Sequence, residues 1–366
     1  MYSRIVFWEP MLSPHKVGFI SSVSDILGVE CVYVAHEGLD SERLRQGWRV
    51  ASNDLPCYVA PDKEEIKELI KSREALHVFS GIRNFSTITF ALNLVLKEKL
   101  DFFIMSEPRV FEGGLGFIRL LQSRLCEYSI RNSVTRVLAI GVNGVDWFKL
   151  VGYDLNRILP FAYFIPDVYS IGRREGSVAI NIGFLGRLVE SKGCSLFLEA
   201  ATQNNNPKYN FFIAGSGSLE SECERACKDG KVFFQGVIDM KNVPSYLSSL
   251  DVLVLPSNTK NDGWGVVVNE ALLSGVAVVL SGEVGASLVV KRNWIGKICN
   301  SRDSKSIIKA VDDMVDEGVL NEKYKQKRRN FALENLTSLA GAKYFSDIVR
   351  SVTDKAKVRS FDWLVR

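Results

Sequence analysis

The sequence lacks any apolar run that approaches the ~20 residues needed to cross a bilayer, and its first residues show no signal-peptide pattern. Its seven cysteines are odd in number and scattered, with no Cys-x-x-Cys pair. Cys223 and Cys227 share a predicted helix face, but no histidine or further cysteine completes a metal site there. We therefore expect a protein of the reducing cytoplasm without a structural zinc centre.

A dinucleotide fingerprint is also absent, since no Gly-x-Gly-x-x-Gly follows the first predicted strand. This absence disfavours the hypothesis of a Rossmann oxidoreductase. Detectable NAD(H) binding would support that hypothesis again. The 366 residues, 46% of them hydrophobic, exclude a disordered chain and suit two domains of ordinary size.

Strands and helices alternate along the chain, which predicts parallel sheets in an α/β fold. The first half is predicted to contain strands at Arg4–Trp8, Cys31–Val34, Ala75–Phe79, Phe102–Met105, Arg136–Ala139 and Leu159–Phe164. Helices are predicted between them near Val17–Leu27, Lys63–Lys71, Thr87–Lys97 and Phe117–Ile130. The second half is predicted to contain strands at Val178–Leu185, Phe211–Ala214, Val232–Phe234, Asp251–Pro256 and Ala277–Leu280. Between them the polar segment 166–176, with Pro and Gly at its ends, predicts a linker.

Two acids, Asp262 and Glu270, stand eight positions apart after a strand. Gly263-Trp-Gly265 follows the first acid, and a short helix predicted from Val266 carries the second. Amide N–H groups at a helix start suit a diphosphate, and a carboxylate one turn further in suits a ribose diol. The alternative is a loop acid together with a solvated helix glutamate.

This segment resembles the acid-x7-acid motif of the retaining glycosyltransferases of family 4, or group 1, which have the GT-B architecture. Three more segments resemble that family in the same order, namely Asn181–Gly193, Phe211–Gly217 and Val232–Val237. The resemblance covers roughly residues 177–296, and the first half of the chain is similar only in layout.

The resemblance implies two Rossmann-like domains with parallel sheets facing across a cleft. Residues 1–165 would bind the acceptor, residues 177–338 would bind the nucleotide-sugar donor, and a C-terminal helix within 339–366 would return to the first domain. The implied enzyme is a retaining, hexosyltransferase-type glycosyltransferase that needs no metal and no other cofactor.

The same resemblance assigns the diphosphate to Arg187 and Lys192, because the family uses the matching pair. For Arg187 the alternative is a salt bridge to Glu190. For Lys192 the alternative is an ordinary lysine at a helix start, where the helix dipole disfavours a cation.

In the acid motif the resemblance assigns Glu270 to the ribose hydroxyls and Asp262 to the donor sugar. Glutamate is commoner than aspartate at the first position in the family, so the sugar's identity is open. The other expected donor-binding residues are Gly186, Gly215, Gly217, Gly236, Val237, Gly263, Trp264, Gly265 and Val266.

The acceptor side offers two candidates, His15 and Glu107, each directly after a strand at the expected carboxyl edge of the first sheet. For His15 the alternative is a helix-capping or surface histidine. For Glu107 the alternative is a structural ion pair with Arg109.

As partners we expect a nucleotide sugar and a lipid-linked glycan of bacterial surface polysaccharide (O-antigen, capsule or exopolysaccharide), and no nucleic acid. The alternative is a non-catalytic nucleotide-sugar-binding subunit of a glycosyltransferase complex. Between Lys323 and Arg366 stand eleven basic and four acidic residues, with Phe345, Phe361 and Trp363 among them. This end would touch an anionic membrane at its inner face, or else pack its aromatics and present a solvated basic surface.

Overall fold

The computed structural model describes residues 2–49, 55–172, 179–260, 262–354, 358 and 361–364. They form two compact units, of which one ends at Pro166 and resumes at Thr337, and the other extends from Asp167 to Leu336. The strands are β1 Arg4–Met11, β2 Glu30–Glu37, β3 Cys57–Val59, β4 Ala75–Phe79, β5 Phe102–Ser106, β6 Arg136–Ile140, β7 Ile158–Phe161, β8 Ile180–Leu185, β9 Tyr209–Ala214, β10 Phe233–Phe234, β11 Val252–Leu255, β12 Ala277–Ser281 and β13 Gly296–Cys299. The α-helices are α1 Pro14–Leu27, α2 Ser41–Arg45, α3 Lys63–Ile70, α4 Ser86–Glu98, α5 Gly113–Cys126, α6 Tyr128–Ser133, α7 Gly144–Val151, α8 Cys194–Gln203, α9 Glu220–Lys228, α10 Val243–Ser248, α11 Val267–Leu273, α12 Ser304–Asp316, α13 Glu322–Asn335 and α14 Ser338–Thr353.

The first unit is built on a seven-stranded sheet in the order β3-β2-β1-β4-β5-β6-β7, and every strand pair in it is parallel. Four consecutive residues of β1, Ile5 to Trp8, are fully buried, as expected for a parallel strand with both faces covered. The strand order reverses between β1 and β4. Ligands of open α/β sheets bind beyond the carboxyl ends of the strands at such a point.

The last helix, α14, belongs to the first unit. Its Phe345 ring contacts Phe7 of β1 and Phe19 of α1, and its Gly341 lies so close to Phe164 that a Cβ there would stand 2.2 Å from the ring. The chain enters this helix through a parallel bridge between Ile165 and Thr337. The aromatic contacts explain why a helix distant in sequence completes this unit.

The second unit contains a six-stranded parallel sheet in the order β10-β9-β8-β11-β12-β13. Its strand order reverses between β8 and β11. The two sheets with their surrounding helices confirm the predicted α/β fold class, and each predicted strand is present to within a few residues at its ends.

Three parts of the sequence prediction are wrong in detail. Strands β3 and β13 are absent from it, because each is a short edge strand without the long apolar run that marks the central strands. Helix α2, whose five residues are too few for a clear helical period, is also missed, and so is α7. The single helix predicted at Phe117–Ile130 is divided at Glu127 into α5 and α6.

The C-terminal aromatic residues pack into the first unit rather than face solvent. Phe345, Phe361 and Trp363 are all buried. Two of the basic residues counted in this region are buried as well, because Lys325 pairs with Asp251 and Arg328 donates to backbone carbonyls. For these aromatic residues the structure agrees with the second alternative, in which they pack on the body of the protein.

Four more of the basic residues, Lys355, Lys357, Arg359 and Arg366, lie outside the described residues. Within the described chain, every helix falls short of the length and apolar character that crossing a bilayer requires.

The buried histidine of β4 gives a testable pH dependence of stability. Trp8 Nε1 donates to His77 Nδ1 at 3.2 Å, and burial lowers the pKa of His77 from 6.5 to about 4. The unfolded chain takes up a proton near pH 6.5 and the folded chain only near pH 4, so stability present above pH 6.5 is lost as the pH falls between these values. At pH 5 we expect a loss of about 2 kcal/mol from this group.

Urea denaturation at pH 7 and pH 5 measures this loss, and His77→Gln, which keeps an acceptor for Trp8, should reduce it. Some pH dependence should remain, because burial also lowers the pKa of His15 to about 4. Equal losses in the two proteins would contradict the assignment.

Candidate active site

Two distant sequence motifs meet where the strand order of the second unit reverses. Lys192 lies in a short 3-10 turn after β8, and Asp262 follows β11, the strand beside β8. The Lys192 Nζ lies 2.6 Å from Asp262 Oδ1, and both side chains are largely buried. Because parallel strands end at one edge, this ion pair marks the carboxyl edge of the sheet.

The turn that carries Lys192 is held in place by Gly193. Its φ is +75°, and a Cβ at this position would lie 2.2 Å from the carbonyl oxygen of Pro256. The turn after β8 can therefore lie directly against the loop after β11 only with glycine here. The sequence places Lys192 near a helix start, where the helix dipole disfavours a cation. Asp262 offsets this effect, because its carboxylate supplies the counter-charge.

Asp262 is fixed on its other oxygen by Ser257, whose hydroxyl donates to Oδ2 at 2.6 Å. The backbone carbonyl of Asp262 accepts from Gly285 N at 2.9 Å. The aspartate is thus a rigid group rather than a loop acid with a free rotamer.

The glycine-rich turn after Asp262 exposes backbone donors. The amide N–H groups of Gly263, Gly265 and Val266 donate to no other residue within the described part of the chain. The Trp264 side chain is buried and donates from Nε1 to Asn269 Oδ1 at 2.7 Å. The turn can therefore bind an anion or a hydroxyl through its backbone, while Trp264 anchors it to the core.

The second acid, Glu270, is positioned by a residue of the predicted linker. Tyr169 donates its hydroxyl proton to Glu270 Oε1 at 2.7 Å. Burial raises the pKa of Glu270, and the hydrogen bond from Tyr169 opposes that rise. Residues 173–176 of the linker lie outside the described residues, whereas Tyr169 is packed in the second unit.

This hydrogen bond yields a prediction for Tyr169→Phe. Loss of this hydrogen bond should raise the pKa of Glu270 further, which favours its neutral form over the charged carboxylate. If Glu270 binds the donor, donor affinity should fall about two- to tenfold and recover as the pH is raised. Calorimetric titration with nucleoside diphosphate across pH measures both effects, with Tyr246→Phe as a matched control, because Tyr246 donates to the Phe184 carbonyl elsewhere in this unit. A pH profile unchanged by Tyr169→Phe would contradict the coupling.

Arg187 follows β8 and is exposed. Its side chain makes no ion pair or hydrogen bond with any other described residue, so the alternative of a salt bridge to Glu190 is wrong. Glu190 instead accepts from Ser195 Oγ at 2.6 Å. Arg187 is a charged group at the carboxyl edge that remains available to an anion.

The glycines of the neighbouring loops have a structural role in addition to the expected donor contact. A Cβ at Gly215 would lie 1.8 Å from the Gly186 carbonyl oxygen, and Gly215 N donates to the Gly236 carbonyl at 2.8 Å. A Cβ at Gly217 would lie 2.4 Å from Leu188 O. The loops after β8, β9 and β10 are thereby held together, with Val237 half exposed beside them.

In the first unit, His15 packs edge-on against Trp48, with ring centroids 5.3 Å apart. Because burial lowers its pKa to about 4, His15 is uncharged at neutral pH. Glu107 forms a side-chain hydrogen bond with Tyr163, whereas Arg109 donates to Gln122 Oε1.

The structure adds an ion pair that sequence reasoning missed at the same edge. Lys16 Nζ lies 3.1 Å from Glu9 Oε1 and 5.1 Å from the centre of the Tyr163 ring. Glu9 is buried at the end of β1. The sequence contained one signal for this residue, because Glu9 places a carboxylate near the end of an otherwise apolar strand. Among the described residues, no cluster of three or more His, Cys, Asp or Glu is placed to hold a metal ion; metal independence stays a prediction.

Residues 178–331 match the family model of the glycosyl transferases group 1. The match contains Arg187, Lys192, Asp262 and Glu270, and it covers less than half of the 366 residues.

Curated relatives include capsular polysaccharide biosynthesis glycosyltransferase CapM of Staphylococcus aureus, 28% identical over 63% of this chain and 57% of that protein. Another is the UDP-Gal:alpha-D-GlcNAc-diphosphoundecaprenol alpha-1,3-galactosyltransferase of Escherichia coli, 30% identical over 46% of this chain and 45% of that protein. The alignment with CapM and three further curated relatives spans between 36% and 57% of their length.

The solved structure of Anabaena Alr3699/HepE in complex with UDP is similar over 95% of this chain and 100% of its own, with a TM-score of 0.74 and 12% identity. This similarity, together with those to solved glycosyltransferases, shows the GT-B fold.

Proposed function

We propose that this protein is a retaining glycosyltransferase that moves a sugar from a nucleoside diphosphate sugar to a hydroxyl group. The observation that carries the proposal is the contact between Lys192 and Asp262 at the reversal of strand order, beside open backbone amides and the exposed Arg187. Together they present positive charge and N–H donors at the place where an α/β sheet binds its ligand.

The chemistry follows from the charge that develops during transfer. The bond between the anomeric carbon and the diphosphate oxygen breaks, and its electron pair stays on that oxygen. The acceptor oxygen bonds to the carbon as its proton passes to the departing diphosphate. Arg187 and Lys192 stabilise the negative charge of the departing diphosphate, and these two cations take the role that a metal ion would have. Asp262 accepts hydrogen bonds from donor sugar hydroxyls, and Glu270 accepts them from the ribose.

The acceptor in this proposal is a lipid-linked glycan of bacterial surface polysaccharide, and the protein works at the inner face of the membrane. Support comes from the names of relatives, one of them in capsular polysaccharide biosynthesis and one with a diphosphoundecaprenol-linked acceptor. The first unit would bind this acceptor near His15 and Glu107.

Incubation of the pure protein with a panel of UDP- and GDP-sugars and a bacterial lipid extract tests the proposal. We expect transfer to lipid with one donor, or slow hydrolysis of that donor without acceptor, and retention of the anomeric configuration by NMR. Binding of a donor with neither transfer nor hydrolysis would favour the alternative, a non-catalytic donor-binding subunit, which the aspartate at position 262 motivates.

A further inference from the structure

Helix α5 of the first unit presents large apolar side chains to solvent. Five large apolar residues among its fourteen, Leu115, Phe117, Ile118, Leu121 and Leu125, are exposed, with Leu125 78% and Phe117 61% accessible. Tyr128, at the start of α6, continues this surface at 65% exposure. We call these six residues the apolar face of α5. Contiguous apolar surfaces of this kind mark sites of interaction.

The inward side of the same helix explains why these side chains are not in the core. Gly116 lies against the Phe111 backbone, where a Cβ would stand 2.2 Å from the carbonyl carbon. Ser123 and Glu127 are buried on this side, and Arg83 donates to both. The helix is therefore attached through small and polar groups together with Leu120, which packs against the core of the unit, and its apolar face is left for another contact.

Uncompensated positive charge accompanies this face. The guanidinium groups of Arg119, Arg124 and Arg131 donate to backbone carbonyls of Val110, Leu150 and Arg124, respectively. None of the three pairs with a carboxylate within the described part of the chain. Glu127, the acid nearest in sequence to Arg124, is occupied by Arg83 and Tyr153.

We propose that the apolar face of α5 docks on an anionic lipid bilayer, into which its leucine and phenylalanine side chains insert while the three arginines meet lipid phosphates. Apolar side chains flanked by arginine are the composition that binds this interface. Two copies of the chain meeting through this face would bring like charges together, which disfavours self-association. The inference rests on the proposed function only for the reason that a lipid-linked acceptor would lie in the same bilayer.

Co-sedimentation of the full chain with phosphatidylcholine vesicles, with and without phosphatidylglycerol, tests the proposal. We expect binding that increases with phosphatidylglycerol and weakens with salt. The double variant Phe117→Ser/Leu125→Ser should bind at least about tenfold more weakly. Arg124→Gln should lose affinity only for vesicles that contain phosphatidylglycerol. The matched control is Leu155→Ser, at an exposed leucine elsewhere in the same unit, and this variant should bind as the wild type does.

Wild-type protein that stays in the supernatant, or a double variant that binds as tightly as wild type, would overturn the proposal. Gel filtration that shows a dimer dissociated by the double variant, without vesicle binding, would assign this face to a second copy instead. Donor hydrolysis is measured on the same samples and should be unchanged by the double variant. Vesicle binding without any donor turnover would refute the proposed function while leaving the docking surface intact.

Discussion

Arg187→Ala should reduce turnover of the donor by about 100-fold while changing donor affinity much less. The reason is that negative charge on the diphosphate grows toward the transition state, so a preorganised cation contributes most there. Single-turnover rates and donor titration by calorimetry separate the two quantities. Arg187 is a clean test, because it is exposed and has no partner among the described residues whose loss would disturb folding.

Arg302→Ala, an exposed arginine of the same unit, is the matched control and should leave turnover unchanged. Arg187→Lys keeps the charge and should recover part of the rate. Lys192→Ala should lower turnover similarly, but it also leaves the buried Asp262 without its counter-charge, so its melting temperature must be compared with wild type. Full turnover in Arg187→Ala would show that the diphosphate binds elsewhere.

Glu270→Ala should weaken donor binding by roughly 10- to 150-fold. The lost interaction is a charge-assisted hydrogen bond to a ribose hydroxyl, worth about 1.5–3 kcal/mol. The affinity for nucleoside diphosphate without sugar should fall by the same factor, since the ribose is common to both ligands. Competition titrations with diphosphate and with nucleotide sugar measure this.

Glu270→Gln is the companion variant, because it keeps an acceptor for the Tyr169 hydroxyl and removes only the charge. We expect it to bind more tightly than Glu270→Ala and to lose the pH dependence that the raised pKa of Glu270 causes. Glu224→Ala, on exposed α9, controls for general loss of negative charge. Donor affinity that is unaffected by Glu270→Ala would remove the ribose assignment.

Much of the fold was predictable from local patterns. Central strands such as β8 and β11 are short apolar runs between turns, and buried parallel strands require that composition. The α/β fold class followed from the alternation of such runs with helical segments. The edge strands β3 and β13 escaped prediction, because a strand with one neighbour and an open face needs no such run.

Part of the candidate site could be predicted as well, since Lys192, Asp262 and Glu270 stand in segments that resemble a known family. Their partners could not be predicted. Tyr169 lies 101 positions from Glu270, in a segment whose polar composition indicated only a linker. The ion pair of Lys16 with Glu9 was equally hidden, because it depends on how α1 packs at the end of β1.

The sequence by itself determined the secondary structure of the central elements and the chemical types of residue at the carboxyl edges of both sheets, because these depend on local periodicity and strand composition. Only the tertiary structure decided which charges meet and which side of a helix is covered. The apolar residues of α5 would be assigned to the core by pattern alone, yet they face solvent. The physical reason is that burial depends on what the neighbouring elements supply, here a close backbone approach at Gly116 and a buried Arg83–Glu127 pair.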